Sequence, residues 1–347
     1  MSKLKLLAGF LKLKLPESWV DTLSITPRPV VRGREIDTKA HLASELVGML
    51  RDANDPPSID ESRAQLAVMA RKFERPCPDA IDKTDITLPG AEGPRAARIY
   101  GGQGQDPFSQ TPTLLYLHGG GWVQGSIETH DGLCGWLAHL AGIRVISYEY
   151  RLAPEHPFPA AANDILACYR ALVAGDTKVA VDPATLVVGG DSAGGNLTAC
   201  LMHDLVLEGR ALPAGQLLIY PGMDAALSSQ SMTDLRDQPL LPAARIKWYL
   251  GMYIPDGYDW LDPRISPLYS ETLAYQPEAF IVAGGHDPLW DDAQSYADKL
   301  RSAGVAVTQL DYPGQIHAFM SLTRVLPQGN DAIGKTAAWL RRILKKG

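Results

Sequence analysis

The chain has 347 residues, 46% of them hydrophobic and 21% charged, which is enough apolar mass for a large buried core. With 33 basic against 39 acidic side chains the net charge is -6, so there is no electrostatic footprint for nucleic acid, and the apolar content excludes intrinsic disorder. The four cysteines, Cys77, Cys134, Cys168 and Cys200, are far apart in sequence. That spacing fits neither a zinc site nor a disulfide framework, and it reads as reduced thiols buried in a cytoplasmic protein.

In chain order, the N-terminus MSKLKLLAGFLKLKL places Leu4, Leu7, Leu11 and Leu15 on one face of a helix with lysines on its flanks. Its uncharged run, Leu6 to Leu11, is too short for a signal-peptide core. Such a helix either lies weakly on a membrane surface or apolar partner, or folds onto the body of the protein as a cap; we favour the cap. No transmembrane helix is expected elsewhere. Residues 1–80 read as a helical cap region, interrupted at Pro27-Arg28-Pro29 and at Pro56-Pro57, and residues 81–347 as the main α/β domain.

From residue 85 onward short apolar runs alternate with helical stretches. The runs 85–88, 95–100, 113–117, 144–148, 185–188, 216–220, 279–282 and 305–310 predict strands, the first two forming an antiparallel edge joined by a Gly/Pro link. Helices are expected at 126–141, 159–174, 193–208, 291–303 and 331–346. This rhythm predicts βαβ units and a mostly parallel sheet. Residues 222–277, with a helix at 243–253, break it and predict a second cap segment inserted over a site.

Three stretches carry chemistry. In TLVVGGDSAGGNL a strand enters Gly190-Asp191-Ser192-Ala193-Gly194 and a helix follows, matching the G-x-S-x-G nucleophile elbow. The glycines two before and two after the serine are needed where the backbone folds back closely on itself. In TLLYLHGGGW an apolar strand ends in His118 and three glycines, whose N–H groups are free of side-chain obstruction. The oxyanion hole is therefore assigned to Gly119, Gly120, Gly121 and Ala193, with His118 holding the loop. Trp122 and Asp191, beside these elements, are assigned to substrate binding. A triad of this architecture needs an acid and then a histidine after the serine. Of the histidines that follow Ser192, His203 lies three turns into the helix, and His317 falls in a loop after the last strand. Asp287 follows the preceding strand, so Ser192, Asp287 and His317 are expected at one edge of the sheet; His286, Asp291 and Asp292 compete less well.

Together HGGGW, YRLAPEHPFPA (Tyr150–Ala160), GDSAGGNL, DPLWDD and YPGQIHAF resemble the hormone-sensitive lipase family, whose bacterial members are small esterases. The resemblance spans about residues 85–325. It implies an α/β-hydrolase fold, with a mostly parallel eight-stranded sheet flanked by helices and a helical cap. It also implies a serine carboxylesterase acting on short- to medium-chain esters with Ser192, Asp287 and His317 as triad, no metal and no cofactor. Arg151, Pro154 and Glu155 match a motif that is structural in the family, and Ala318 departs from the glycine many relatives carry after the histidine. By analogy a homodimer through the last strand and its neighbouring helix is expected. Lactone, thioester or amide hydrolysis would use the same triad, and a non-catalytic receptor on this fold would lack the histidine found here.

A histidine base predicts that kcat/KM rises as pH passes through roughly 6–7, where an ordinary imidazole loses its proton. A rate flat from about pH 5 to 8 would contradict it.

Overall fold

The computed structural model describes residues 9, 11–16, 18–20, 27–50 and 56–345. A short antiparallel ribbon pairs Val30–Val31 with Arg34–Glu35. The eight strands of the main sheet are β1 (Ile81–Gly90), β2 (Gly93–Gly102), β3 (Thr113–Leu117), β4 (Arg144–Tyr148), β5 (Leu186–Asp191), β6 (Gly215–Ile219), β7 (Glu278–His286) and β8 (Val307–Ile316). The helices are α1 (Thr38–Leu50), α2 (Ile59–Phe73), α3 (Asp131–Ala141), α4 (Ala160–Ala174), α5 (Ala193–Leu207), α6 (Gln230–Asp234), α7 (Ala243–Tyr253), α8 (Trp290–Ser302) and α9 (Pro327–Leu344).

Across the sheet the order is β8-β7-β6-β5-β3-β4-β2-β1. Strands β3 to β8 are parallel, β2 runs against them, and β1 closes the edge as a hairpin partner of β2, as the Gly/Pro link predicts. Every residue of β3, β4 and β6 is buried, which explains their unbroken apolar runs. Alternation still sorts their side chains. Leu115 and Leu117 enter the layer shared with α4 and α5, while Leu114 and Tyr116 enter the opposite layer with α3 and α9.

The strand order reverses between β3, which continues to β4 on one side, and β5 on the other. At such a switch point the loops leaving the two strands diverge and open a crevice at their C-terminal ends. Leu117 pairs with Gly190 there, so the HGGG loop and the serine turn start side by side. The glycines of the turn are required by contact. A Cβ on Gly190 would lie 2.1 Å from the Leu117 carbonyl oxygen, and one on Gly194 would lie 1.9 Å from it.

Several expectations need correction. The helix expected over 126–141 is a 3-10 turn, Ile127–His130, followed by α3, because Ser126 and Thr129 cap each other and tighten the first turn. The strand expected at 85–88 extends over Ile81–Gly90, and the one expected at 305–310 begins two residues later and runs on over Val307–Ile316, since edge strands keep pairing through polar residues. In the N-terminal segment Leu4 and Leu7 lie outside the described residues. Leu11 is exposed while Leu13 and Val20 are buried, so the inward face is turned away from the expected leucine stripe.

Helix α2 begins with a reciprocal cap: the Ser58 hydroxyl accepts from Glu61 N–H at 3.3 Å and the Glu61 carboxylate accepts from Ser58 N–H at 3.0 Å. The segment between β6 and β7 holds α6 and α7, as the long interval predicts, and it meets the N-terminal helices where Gln238 reaches Ser44.

Gly194→Ala is expected to lose at least about 1–3 kcal/mol of stability from overpacking against Leu117. Gly334→Ala, on α9 with nothing near the added methyl, serves as the control and should be neutral or gain about 0.4–1 kcal/mol. Thermal melts of the two variants check this.

Candidate active site

Ser192 follows β5 directly and precedes α5. Its backbone is forced to φ 52 and ψ -116, a conformation costly for a residue with a side chain. Two hydrogen bonds hold the turn: Ser192 N–H donates to Ile219 O at 2.8 Å, and Asn196 N–H donates to Ser192 O at 3.0 Å. The N-terminus of α5, with its unpaired N–H groups, opens immediately beyond the hydroxyl.

His317 and Asp287 leave the ends of β8 and β7. The His317 ring bridges them and the serine: Nδ1 lies 2.6 Å from Asp287 Oδ2, and Nε2 lies 3.0 Å from Ser192 Oγ. Asp287 is 1% exposed, and its other oxygen accepts from Leu289 N–H at 2.9 Å. With a carboxylate on Nδ1, the proton sits there and Nε2 is left to accept from the serine. Tyr220 packs edge-on against the His317 ring, centroids 4.9 Å apart. The competing residues are engaged elsewhere. His203 bonds Ser270, His286 Nε2 bonds the Arg34 carbonyl, Asp291 pairs with Arg32, and Asp292 accepts from Met223 and Asp224 N–H groups.

At the HGGG loop the structure corrects two expectations. Gly119 N–H donates to Asp191 Oδ1 at 2.8 Å, so it is not free for an oxyanion. Asp191, expected to bind substrate, is 4% exposed and uses its carboxylate behind the site on Gly119, Tyr116 and His130. Position next to the serine did not disclose which way that side chain points. Burial works against its charge, but His130, the Tyr116 hydroxyl and the Gly119 N–H together hold the carboxyl at about 2. Among the described residues, the N–H groups of Gly120, Gly121 and Ala193 have no hydrogen-bond partner. His118 Nδ1 lies 2.9 Å from Gly119 O, and Tyr150 OH donates to His118 O at 2.6 Å. Because the peptide is planar and trans, fixing Gly119 C=O on one side aims the Gly120 N–H to the other.

Beside Ser192 lies a mainly apolar pocket with ≈ 480 Å3 of empty space, part of it open to solvent. Trp122 lines it and stacks on Tyr253 at 4.7 Å. Leu241, Ile246, Tyr249 and Leu250, from the inserted segment, make the opposite wall. Tyr249 also packs on Gly121, where a Cβ would stand 2.5 Å from its ring. Asn196 ties this wall to α5 by donating to Gly222 O at 2.8 Å and Ile265 O at 2.9 Å. Arg151 makes a paired contact with buried Asp164 and Glu155 pairs with Arg63, away from the pocket. No group of three or more His, Cys, Asp or Glu side chains that could hold a metal stands together among the described residues. Nor is any helix among them long and apolar enough to cross a membrane.

The chain is similar to known proteins over most of its length. A family model described as alpha/beta hydrolase fold matches residues 114–321. The chain is 37% identical over 344 residues to a carboxylic ester hydrolase, LipN, of Mycobacterium tuberculosis, covering 94% of this chain and 90% of that protein. It is 36% identical to an ethyl acetate hydrolase of Pseudomonas putida, over 79% of this chain and 87% of that one. Among solved structures, the ester-hydrolase EH1AB1 from the metagenome of Lake Arreo, complexed with a bipyridine phosphonate derivative, superposes with a TM-score of 0.83 at 36% identity. That match covers 88% of this chain and 98% of the other. The chain belongs to the α/β-hydrolase fold family, and within it to the hormone-sensitive lipase group. Its activity is that of a carboxylic ester hydrolase.

Proposed function

We propose that Ser192, His317 and Asp287 are the catalytic triad of this esterase and that Gly120, Gly121 and Ala193 supply its oxyanion hole. The observation that carries the reading is the unbroken relay from Asp287 through His317 to the Ser192 hydroxyl, at 2.6 and 3.0 Å. Ser192 Oγ attacks the ester carbonyl while His317 Nε2 takes its proton, and Asp287 stabilises the imidazolium. The carbonyl oxygen becomes an oxyanion in front of the three free N–H groups. His317 then gives the proton to the departing alcohol oxygen, leaving an acyl-serine. Water, deprotonated by the same ring, releases the acid. Each oxyanion donor in such a site is worth about 2.7–4 kcal/mol of barrier.

The apolar pocket beside Ser192 supports short- to medium-chain acyl groups as the substrate class, with residues 1–80 and 222–277 together forming the cap. Four free cysteines support a cytoplasmic setting. The outermost position of β8 supports a homodimer through that strand and its neighbouring helix, and exposed Leu11 and Trp19 support weak surface association of the N-terminal segment.

A fluorophosphonate probe should label the wild-type protein on Ser192, and Ser192→Ala should abolish both labelling and hydrolysis of nitrophenyl esters. Across a series of rising acyl length, kcat/KM should peak at short to medium chains and fall beyond. Labelling without turnover of any ester would shift the reading to a lactone or amide substrate. Light scattering on a sizing column should show a dimer at micromolar concentration, and a monomer alone would remove that assembly.

A further inference from the structure

We propose that His130 is a buried imidazolium whose task is to neutralise Asp191, so that this carboxylate can hold the oxyanion loop by the Gly119 N–H without leaving a net negative charge behind the hole. The proposal rests on the oxyanion-hole reading above and names His130 as a positioning residue of that site.

Proton accounting around the ring carries the argument. Thr129 Oγ1 has one proton, and it is committed to the Ser126 carbonyl at 2.9 Å. The same oxygen accepts from Ser126 N–H at 2.9 Å. Its contact with His130 Nδ1, also 2.9 Å, therefore draws its proton from the ring. The second neighbour of Nδ1 is the Ser126 carbonyl at 3.4 Å, again only an acceptor. On the other side Nε2 faces the Asp191 carboxylate, 3.2 Å from Oδ1 and 3.3 Å from Oδ2. Two more donors, Tyr116 OH at 2.7 Å and Gly119 N–H at 2.8 Å, converge on that carboxylate and favour its ionised form. Both ring nitrogens then donate, and an imidazole with two protons is a cation.

The surroundings fit this state. From the sheet side the ring meets Asp191 and Tyr116, and from the loop after β3 it meets the His118 ring at 5.7 Å. From the end of α2 comes Glu74, whose carboxylate accepts from Gly132 and Leu133 N–H groups, and Asp131 is next in the chain. Burial penalises the charged ring, but the Asp191 charge and hydrogen bond, with Glu74, push His130 up to about 9. Burial pushes the Glu74 carboxyl up to about 7, and it lowers His118, so the latter stays neutral. Because the folded value of His130 lies above the ordinary imidazole range, the pair is intact at neutral pH and is lost as pH rises through about 9.

The function follows from position. Asp191 immediately precedes the nucleophile and touches the first glycine of the loop. An unbalanced carboxylate there, screened only by protein, would oppose the negative charge that forms on the substrate oxygen. His130→Gln keeps a donor toward Asp191 but removes the positive charge. It should lower kcat about 10- to 100-fold with KM nearly unchanged, because the penalty falls on the transition state. Adding Asp191→Asn should restore much of the lost kcat, since an amide oxygen still accepts from Gly119 N–H and no charge is left unbalanced. The alkaline limb of the wild-type profile, near pH 9, should be absent from the double variant. Nitrogen NMR of the histidine-labelled wild-type protein, which needs no variant and no turnover, should find both His130 ring nitrogens protonated at neutral pH. A ring with one bare nitrogen at neutral pH overturns the proposal. So does a folded His130→Gln variant whose activity Asp191→Asn does not raise, since that is how a packing role behaves. Failure of the triad reading would show separately, as a wild-type protein that neither turns over esters nor takes up a phosphonate.

Discussion

The site depends on one close approach: the carbonyl of Leu117, the last residue of β3, lies against the backbone of the turn that carries Ser192. Only glycine at positions 190 and 194 permits it. The approach sets the spacing between two loops that leave adjacent parallel strands in opposite senses. One loop presents Ser192 and the start of α5, and the other presents the amides of Gly120 and Gly121. The strain stored at Ser192 is tolerated because the turn is packed from both sides and tied down by Ile219 and Asn196.

Electrostatics completes what packing begins. Catalysis here asks a preorganised set of dipoles to meet a charge that exists only in the transition state. The α5 N-terminus and the loop amides supply the dipoles. The charged residues nearby are arranged so as not to cancel them: Asp287 is turned to His317, and Asp191 is covered by His130, Tyr116 and Gly119. The two carboxylates near the serine therefore do different work. Asp287 is engaged with His317, and Asp191 holds the loop at Gly119.

Much of this was legible in the sequence. The eight strands and the meeting of Ser192, Asp287 and His317 could be read because each depends on local rules: apolar runs for strands buried on both faces, glycines where backbones touch, and acid and histidine at the ends of later parallel strands. What was not legible are contacts between distant elements. Nothing local marks Tyr116, Asn196, Tyr249 or Tyr253 as partners of the site. His130 precedes the serine, so the chain-order rule for the triad passes over it. Gly119 and Asp191 depart from what their motifs suggest for one shared reason: the bond between them, across 72 residues, forms only once β3 and β5 are side by side. The N-terminal leucine stripe failed similarly, since Leu13 rather than Leu11 meets the core offered by α1.

The most direct test of the account is a crystal structure of the protein inhibited by an alkyl phosphonate. The account predicts phosphorus bonded to Ser192 Oγ and a phosphoryl oxygen about 3 Å from the N–H groups of Gly120, Gly121 and Ala193, with the Gly119 N–H still on Asp191. Phosphorus on another residue, or a phosphoryl oxygen turned away from those three amides, would contradict it.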